Sequence, residues 1–224
     1  MYKFELHAHT AECDTGASLS AADHIRLYAD KGYSGMVITD HYLAQFFHWF
    51  GESLQTTDRQ KILSRWLRGY YNARNEGEKI GFTVLPGAEL RMDGTINDYL
   101  IYGLSEQEYL DMPFLNQMKS IEAVIDFLPD YALVVQAHPF RNNMTVADPG
   151  RLFGIEVYNG CNEVFRNELA KIFAEHYHKA MTSGSDCHHA GVEGRGGILT
   201  EKAITSPEDL VAVLRSGNYK LIQT

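Results

Sequence analysis

The sequence predicts an α/β fold: an irregular barrel of parallel strands wrapped by helices. Three observations point there. Short apolar segments alternate with amphipathic stretches, in about seven βα-like units. The strand segments are continuous apolar runs, as in sheets covered on both faces. No Gly-rich dinucleotide turn follows any strand, which argues against an open doubly wound sheet.

The elements follow in order. Residues 2–6 read as the first strand. Ser20 opens a helix to about Lys31, with Ile25, Leu27 and Tyr28 apolar and Gly32 as its stop. Residues 35–39 (GMVIT) form a buried-type strand. A long helix spans residues 57–77, where Ile62, Leu63, Trp66, Leu67 and Tyr70 share one face. Residues 82–85 and 99–102 are the third and fourth strands. Residues 121–128 are helical, ended by Pro129-Asp130. Residues 133–136, 154–157 and 181–183 are further strands, the last two separated by a helix over 163–177. Residues 198–204 and 221–222 are strands around a final helix that Ser206-Pro207 opens.

The chain has 224 residues, 45% hydrophobic and 22% charged, within the range of one globular domain covering residues 1–224. This composition excludes disordered, collagenous and coiled-coil chains. Apolar runs fall far short of the roughly 20 residues of a membrane helix. The N-terminus, MYKFELHAHT, reads as a strand without the apolar core of a signal peptide, so the expected location is cytoplasmic. The net charge of -9 (20 Lys+Arg, 29 Asp+Glu) excludes an extended nucleic-acid footprint but not a small anionic substrate. Cys13, Cys161 and Cys187 are too few and scattered for a disulfide framework or a Cys-based zinc site, and fit reduced thiols.

The ten histidines are the unusual feature. In parallel barrels the chemistry sits at the C-terminal ends of the strands. His7-Ala8-His9, Asp40-His41, Glu89, His138 and Asp186-Cys187-His188 all fall at predicted strand ends. Residues i and i+2 of an extended segment face the same way, so His7 pairs with His9 and Asp186 with His188, while Cys187 points away. A lone histidine at a strand end is ordinarily a satisfied polar residue; the joint pattern makes these metal ligands. Imidazole with carboxylate suits zinc, manganese or iron. His24, His48, His176 and His178 lie away from strand ends and read as surface or packing residues.

The ordered motifs HAHT with Asp14, TDH, PGAE, AHPFR, IEVYNG and SGSDCHH resemble the PHP (polymerase and histidinol phosphatase) superfamily of metal-dependent phosphoesterases, over nearly the whole chain. The resemblance implies a distorted (β/α)7 TIM-like barrel, divalent ions, two or three per chain, and a small phosphorylated substrate. By the same resemblance a first site uses His7, His9, Glu89 and Asp186. A second uses Glu89 as a bridge with His138. A third uses Asp14, His41 and His188. Many members carry a further histidine between the Glu and the next His; here none lies between Glu89 and His138, and Asp98 is the nearest replacement, or else a turn residue beside Asn97. Asn159 reads as a loop residue beside Gly160, with the pocket as the alternative.

Arg141 and Arg195 are the expected phosphate partners, because the planar guanidinium suits bidentate contact; Arg91 is a weaker candidate. Tyr158 reads as an interior aromatic with ring stacking as the alternative. The run GVEGRGG lacks the Lys-Ser/Thr of a P-loop and reads as a mobile loop. The expected reaction is phosphate ester hydrolysis, with Asp186 mainly a ligand and His188, or His189, protonating the leaving group. Amide hydrolysis at the same centre and a non-catalytic binding module are the alternatives. Residues 42–60, with Phe46, Phe47, Trp49 and Phe50, read as a recognition insert or a subunit interface.

Overall fold

The computed structural model describes residues 1–224. In chain order the strands are β1 (Tyr2–Glu5), β2 (Tyr33–Ile38), β3 (His41–Tyr42), β4 (Thr83–Pro86), β5 (Ala88–Arg91), β6 (Asp98–Tyr102), β7 (Leu133–Gln136), β8 (Gly154–Asn159), β9 (Ala180–Gly184), β10 (Ile198–Thr200) and β11 (Tyr219–Leu221). The helices are α1 (Ala21–Asp30), α2 (Ala44–Leu54), α3 (Arg59–Trp66), α4 (Arg68–Ile80), α5 (Glu106–Asp111), α6 (Ile121–Phe127), α7 (Val164–His176) and α8 (Pro207–Ser216). No helix is long and apolar enough to cross a membrane.

The strands form two sheets rather than one closed barrel ladder. One has the order β11-β10-β1-β2-β4 and the other β3-β5-β6-β7-β8-β9. The expectation of an all-parallel barrel is corrected here. β6 runs antiparallel to both neighbours, and β10 is antiparallel to β1 and β11. Connection length explains the first case: only residues 92–97 join β5 to β6, and a parallel crossover needs about a dozen or more. The sheets approach one another where β4 passes into β5 at Gly87, whose amide donates to the Ile38 carbonyl at 2.9 Å. They approach again beyond β1 and β9, where Ala8 and Cys187 form an isolated parallel bridge.

Two apolar cores fill the structure. The larger packs α1–α7 against the sheets, with Ile25, Leu63 and Trp66 buried. The smaller gathers Phe4, Leu6, Leu100 and Val135 under Leu210 and Leu214 of α8. Ser20 and Ser206, the expected helix openers, accept from backbone amides at the starts of α1 and α8, and Ser105 and Ser120 do the same at α5 and α6.

The helix expected over 57–77 is divided at Leu67 into α3 and α4. Gly69 lies just past the break because the chain passes against Thr10 and Asp40. A Cβ there would meet the Thr10 hydroxyl at 2.1 Å. Residues 44–54, within the expected insert, are helical: α2 starts at Leu43 with no side-chain cap, so no start signal marks it. Its Phe46, Phe47 and Phe50 are buried and only Trp49 of these aromatics is exposed, at 37%.

Candidate metal centre

The parallel bridge between Ala8 and Cys187 sets the centre. The Asp186 amide donates to the His7 carbonyl (2.9 Å) and the His9 amide to the Cys187 carbonyl (3.1 Å). That ladder brings His7, His9, Asp186 and His188 to one place. Gly184 permits it: a Cβ there would lie 2.3 Å from His7 Cβ. Asp186 and His138 both hold positive φ, 53° and 28°, which costs energy in a non-glycine residue and is kept where surrounding contacts fix it.

His7, His9, Glu89 and Asp186 converge. His7 Nε2 lies 3.1 Å from His9 Nε2, 3.4 Å from Glu89 Oε1 and 3.5 Å from Asp186 Oδ1. His9 Nε2 lies 3.2 Å from Glu89 Oε2 and 3.4 Å from Asp186 Oδ1. A tetrahedral ion with bonds of about 2.0–2.1 Å sets its ligand atoms about 3.4 Å apart, so the spacing fits one. All four side chains are buried. Glu89 Oε2 and Asp186 Oδ1 are buried without hydrogen-bond partners, an uncommon state that a cation relieves.

The tautomers agree with that reading. His7 Nδ1 donates to Glu156 Oε1 (2.8 Å), which leaves the Nε2 lone pair facing the two carboxylates. His188 Nδ1 donates to the Asp186 carbonyl (3.0 Å), which turns its Nε2 toward Asp14 Oδ2 at 3.1 Å. A lone pair facing a carboxylate is repulsive unless a cation or proton lies between them. Burial would raise Asp186, yet His7, His9 and Arg141 hold its carboxyl well below the usual range. Burial works the same way on Glu89, and His41, His7 and His138 hold it well below. Burial would lower the His7 imidazole, but Glu156, Asp186 and Glu89 raise it well above its ordinary value. The buried anions thus draw positive charge to the centre.

The other expected ligands surround this group. Asp14, His41 and His188 meet at the rim: His41 Nε2 is 3.4 Å from Asp14 Oδ2, and His41 Nδ1 is 2.8 Å from Glu89 Oε2. Burial would raise Asp14, but His188 and His41 bring it down to about 2. His138 Nε2 lies 2.8 Å from Glu89 Oε1. Arg141 Nη2 donates to Asp186 Oδ2 at 2.6 Å and is partly exposed.

The remaining candidates divide. Arg195 is exposed and donates to the carbonyls of Gly160 and Gly191. Asp98 is buried and gripped by Arg91 through two bonds of 2.6 Å. Asn159 is buried and donates to Glu156 Oε2 and Asp186 Oδ2, so it faces the centre rather than serving as a loop residue. Tyr158 donates outward to the Thr224 carbonyl. His24 is buried beneath His9 and donates to its carbonyl at 2.7 Å, a packing role.

Two buried carboxylates went unread in the sequence. Glu156 holds His7 with one oxygen and, with the other, accepts from the His138 amide (3.0 Å) and Asn159. Glu5 accepts from the amides of Leu6, His7 and Ser185 and from the Ser185 hydroxyl. The available signal was a glutamate inside an otherwise apolar strand, in IEVYN and in KFEL.

Comparison with known proteins bears on the fold. Residues 165–219 match the family model described as PHP-associated. No curated protein matches the chain. A two-domain protein from Bacteroides vulgatus, containing a predicted PHP-like metal-dependent phosphoesterase, aligns at TM-score 0.71 and 15% identity. The chain shares the fold of this PHP-like protein. That alignment covers 99% of this chain and 64% of the Bacteroides protein. A candidate metal-dependent phosphoesterase from Bifidobacterium adolescentis aligns at TM-score 0.56 and 16% identity, over 95% of each chain. An amidohydrolase from Chromobacterium violaceum, solved with bound sulfate and no metal, aligns at TM-score 0.55 and 15% identity, over 98% of this chain and 97% of that one. The family match and the PHP-like neighbours bear out the resemblance to the PHP superfamily. The residues expected at the first site, His7, His9, Glu89 and Asp186, lie together, and so do those expected at the third, Asp14, His41 and His188.

Proposed function

We propose that this protein hydrolyses a small phosphate ester, a phosphomonoester or a nucleotide-like ester, at a centre of divalent zinc, manganese or iron ions. The convergence of His7, His9, Glu89 and Asp186 at the spacing of one ion's ligands carries this reading. When bound, such ions supply an activated water at neutral pH and neutralise phosphoryl charge.

The chain's own groups do the rest. Asp186 orients Arg141 through one nitrogen, leaving the remaining guanidinium donors for phosphoryl oxygens. Both His188 nitrogens are engaged, by the Asp186 carbonyl and by Asp14, which suits a ligand more than a proton donor. His189 is exposed beside it, with Nδ1 on the Ser18 hydroxyl at 2.9 Å, which leaves Nε2 as the nitrogen that would protonate a leaving oxygen.

Purified protein with manganese should release phosphate from an aryl phosphate, and His9→Ala should abolish the release. Retained turnover in that variant overturns the assignment. Amide hydrolysis is the second reading, supported by the Chromobacterium neighbour. Arg141, which suits a phosphoryl dianion, favours the first; a panel in which only amides turn over would reverse the choice.

A further inference from the structure

We propose that the Arg91 guanidinium takes the place of the ion at the second PHP site, so that the centre binds its divalent ions without one there. This rests on the reading that the histidine cluster binds ions.

Arg91 and Asp98 are partners directly across the β5–β6 ladder, so the backbone register itself builds their contact. Arg91 Nε donates to Asp98 Oδ1 and Nη2 to Oδ2, each at 2.6 Å. The fork occupies both oxygens of a carboxylate that is 1% exposed, and arginine cannot give up its proton. The other two groups of this site also satisfy each other: His138 Nε2 donates to Glu89 Oε1 at 2.8 Å, and His138 Nδ1 rests 3.1 Å from Met144 Sδ. Asp98 Oδ2 stands 4.0 Å from His138 Nε2.

The contrast with the first site is direct. There the donors stand 3.1–3.5 Å apart, and Glu89 and Asp186 each leave a buried oxygen without a partner. Around Asp98 the separations are 2.8 and 4.0 Å, and neither Asp98 oxygen, His138 Nε2 nor Glu89 Oε1 is unpartnered. A fixed positive charge already lies on Asp98. A second divalent ion would have to displace it against charge repulsion.

Ion content measures this. Protein equilibrated with zinc and separated from free ion is analysed for bound metal and for thermal stability. Arg91 is 39% exposed at its side chain, so Arg91→Gln is expected to stay folded. It should bind one more equivalent than the wild type, and Arg91→Gln combined with Asp98→Asn should return to the wild-type count. Asp98→Asn alone should keep that count. No gain in a folded Arg91→Gln, or loss of an equivalent in Asp98→Asn, overturns the proposal. A wild type holding less than one equivalent overturns the metal reading and this proposal together.

Discussion

On the floor of the centre, His7, Glu89 and Asp186 are buried, and other side chains hold their far sides. Glu156 takes His7 Nδ1, Arg141 and Asn159 take Asp186 Oδ2, and His138 takes Glu89 Oε1. At the rim, His41 comes from a two-residue strand and Asp14 and His188 from loops, and the two imidazoles are 19% and 22% exposed. The rim rings are braced less well than His7 is by Glu156: His188 Nδ1 rests on a backbone carbonyl, and His41 Nδ1 lies 2.8 Å from Glu89 Oε2 without forming a hydrogen bond. Outer partners fix the orientation and basicity of metal-binding histidines. Floor and rim should therefore differ in how firmly they keep an ion: a chelator titration should strip the rim first and the floor later.

The strongest test of that order removes the floor. Asp186→Ala deletes an oxygen that faces both His7 and His9 and leaves Arg141 without its partner, so floor ion and activity should both vanish; metal analysis with a phosphate-release assay reads both. Arg141→Ala should retain both chelator steps while kcat falls by about 10²–10³, the usual cost of losing a donor to developing charge. Loss of an ion in that variant would mean Arg141 braces the floor rather than substrate. Glu156→Ala should weaken the late chelator step about 10–100-fold and leave the early step in place. Equal weakening of both steps would erase the distinction between floor and rim. Asp14→Asn should affect the early step alone, with a smaller loss of turnover.

The sequence made the ligand pairs legible because extended chain has period two: H-x-H and D-x-H each place two donors on one face at a strand end. It did not make their braces legible. Glu156 lies between Ile155 and Val157, and all three are buried, so alternation gives no face for it. The Arg91–Asp98 pair exists only through cross-strand register, which no local pattern encodes. Asn159 reads as a loop residue because Gly160 follows it; its orientation depends on Glu156 and Asp186 from other positions in the chain. The positive φ at His138 and Asp186 is likewise set by tertiary contacts. The α/β alternation was visible, but whether the strands close was decided by the short β5–β6 connection and the antiparallel β10–β11 pair.

The floor's support extends one layer deeper, to His24, and here the smallest effect is expected. His24 is buried against the His9 backbone and donates to its carbonyl, so the folded protein needs it neutral. Burial pushes its imidazole down from 6.5 to about 4, against the pull of that carbonyl. In the unfolded chain the proton binds near pH 6.5; in the folded one it is refused until about pH 4. Stability is therefore complete above pH 6.5, declines as the pH falls, and levels off below about 4, with a loss of up to about 3 kcal/mol. The comparison is between metal-free wild type and metal-free His24→Gln, which keeps a donor and cannot gain a proton. The wild type should lose more stability than the variant in urea unfolding between pH 6.5 and 4. Parallel profiles would show that the layer under His9 contributes nothing to the acid sensitivity of the floor.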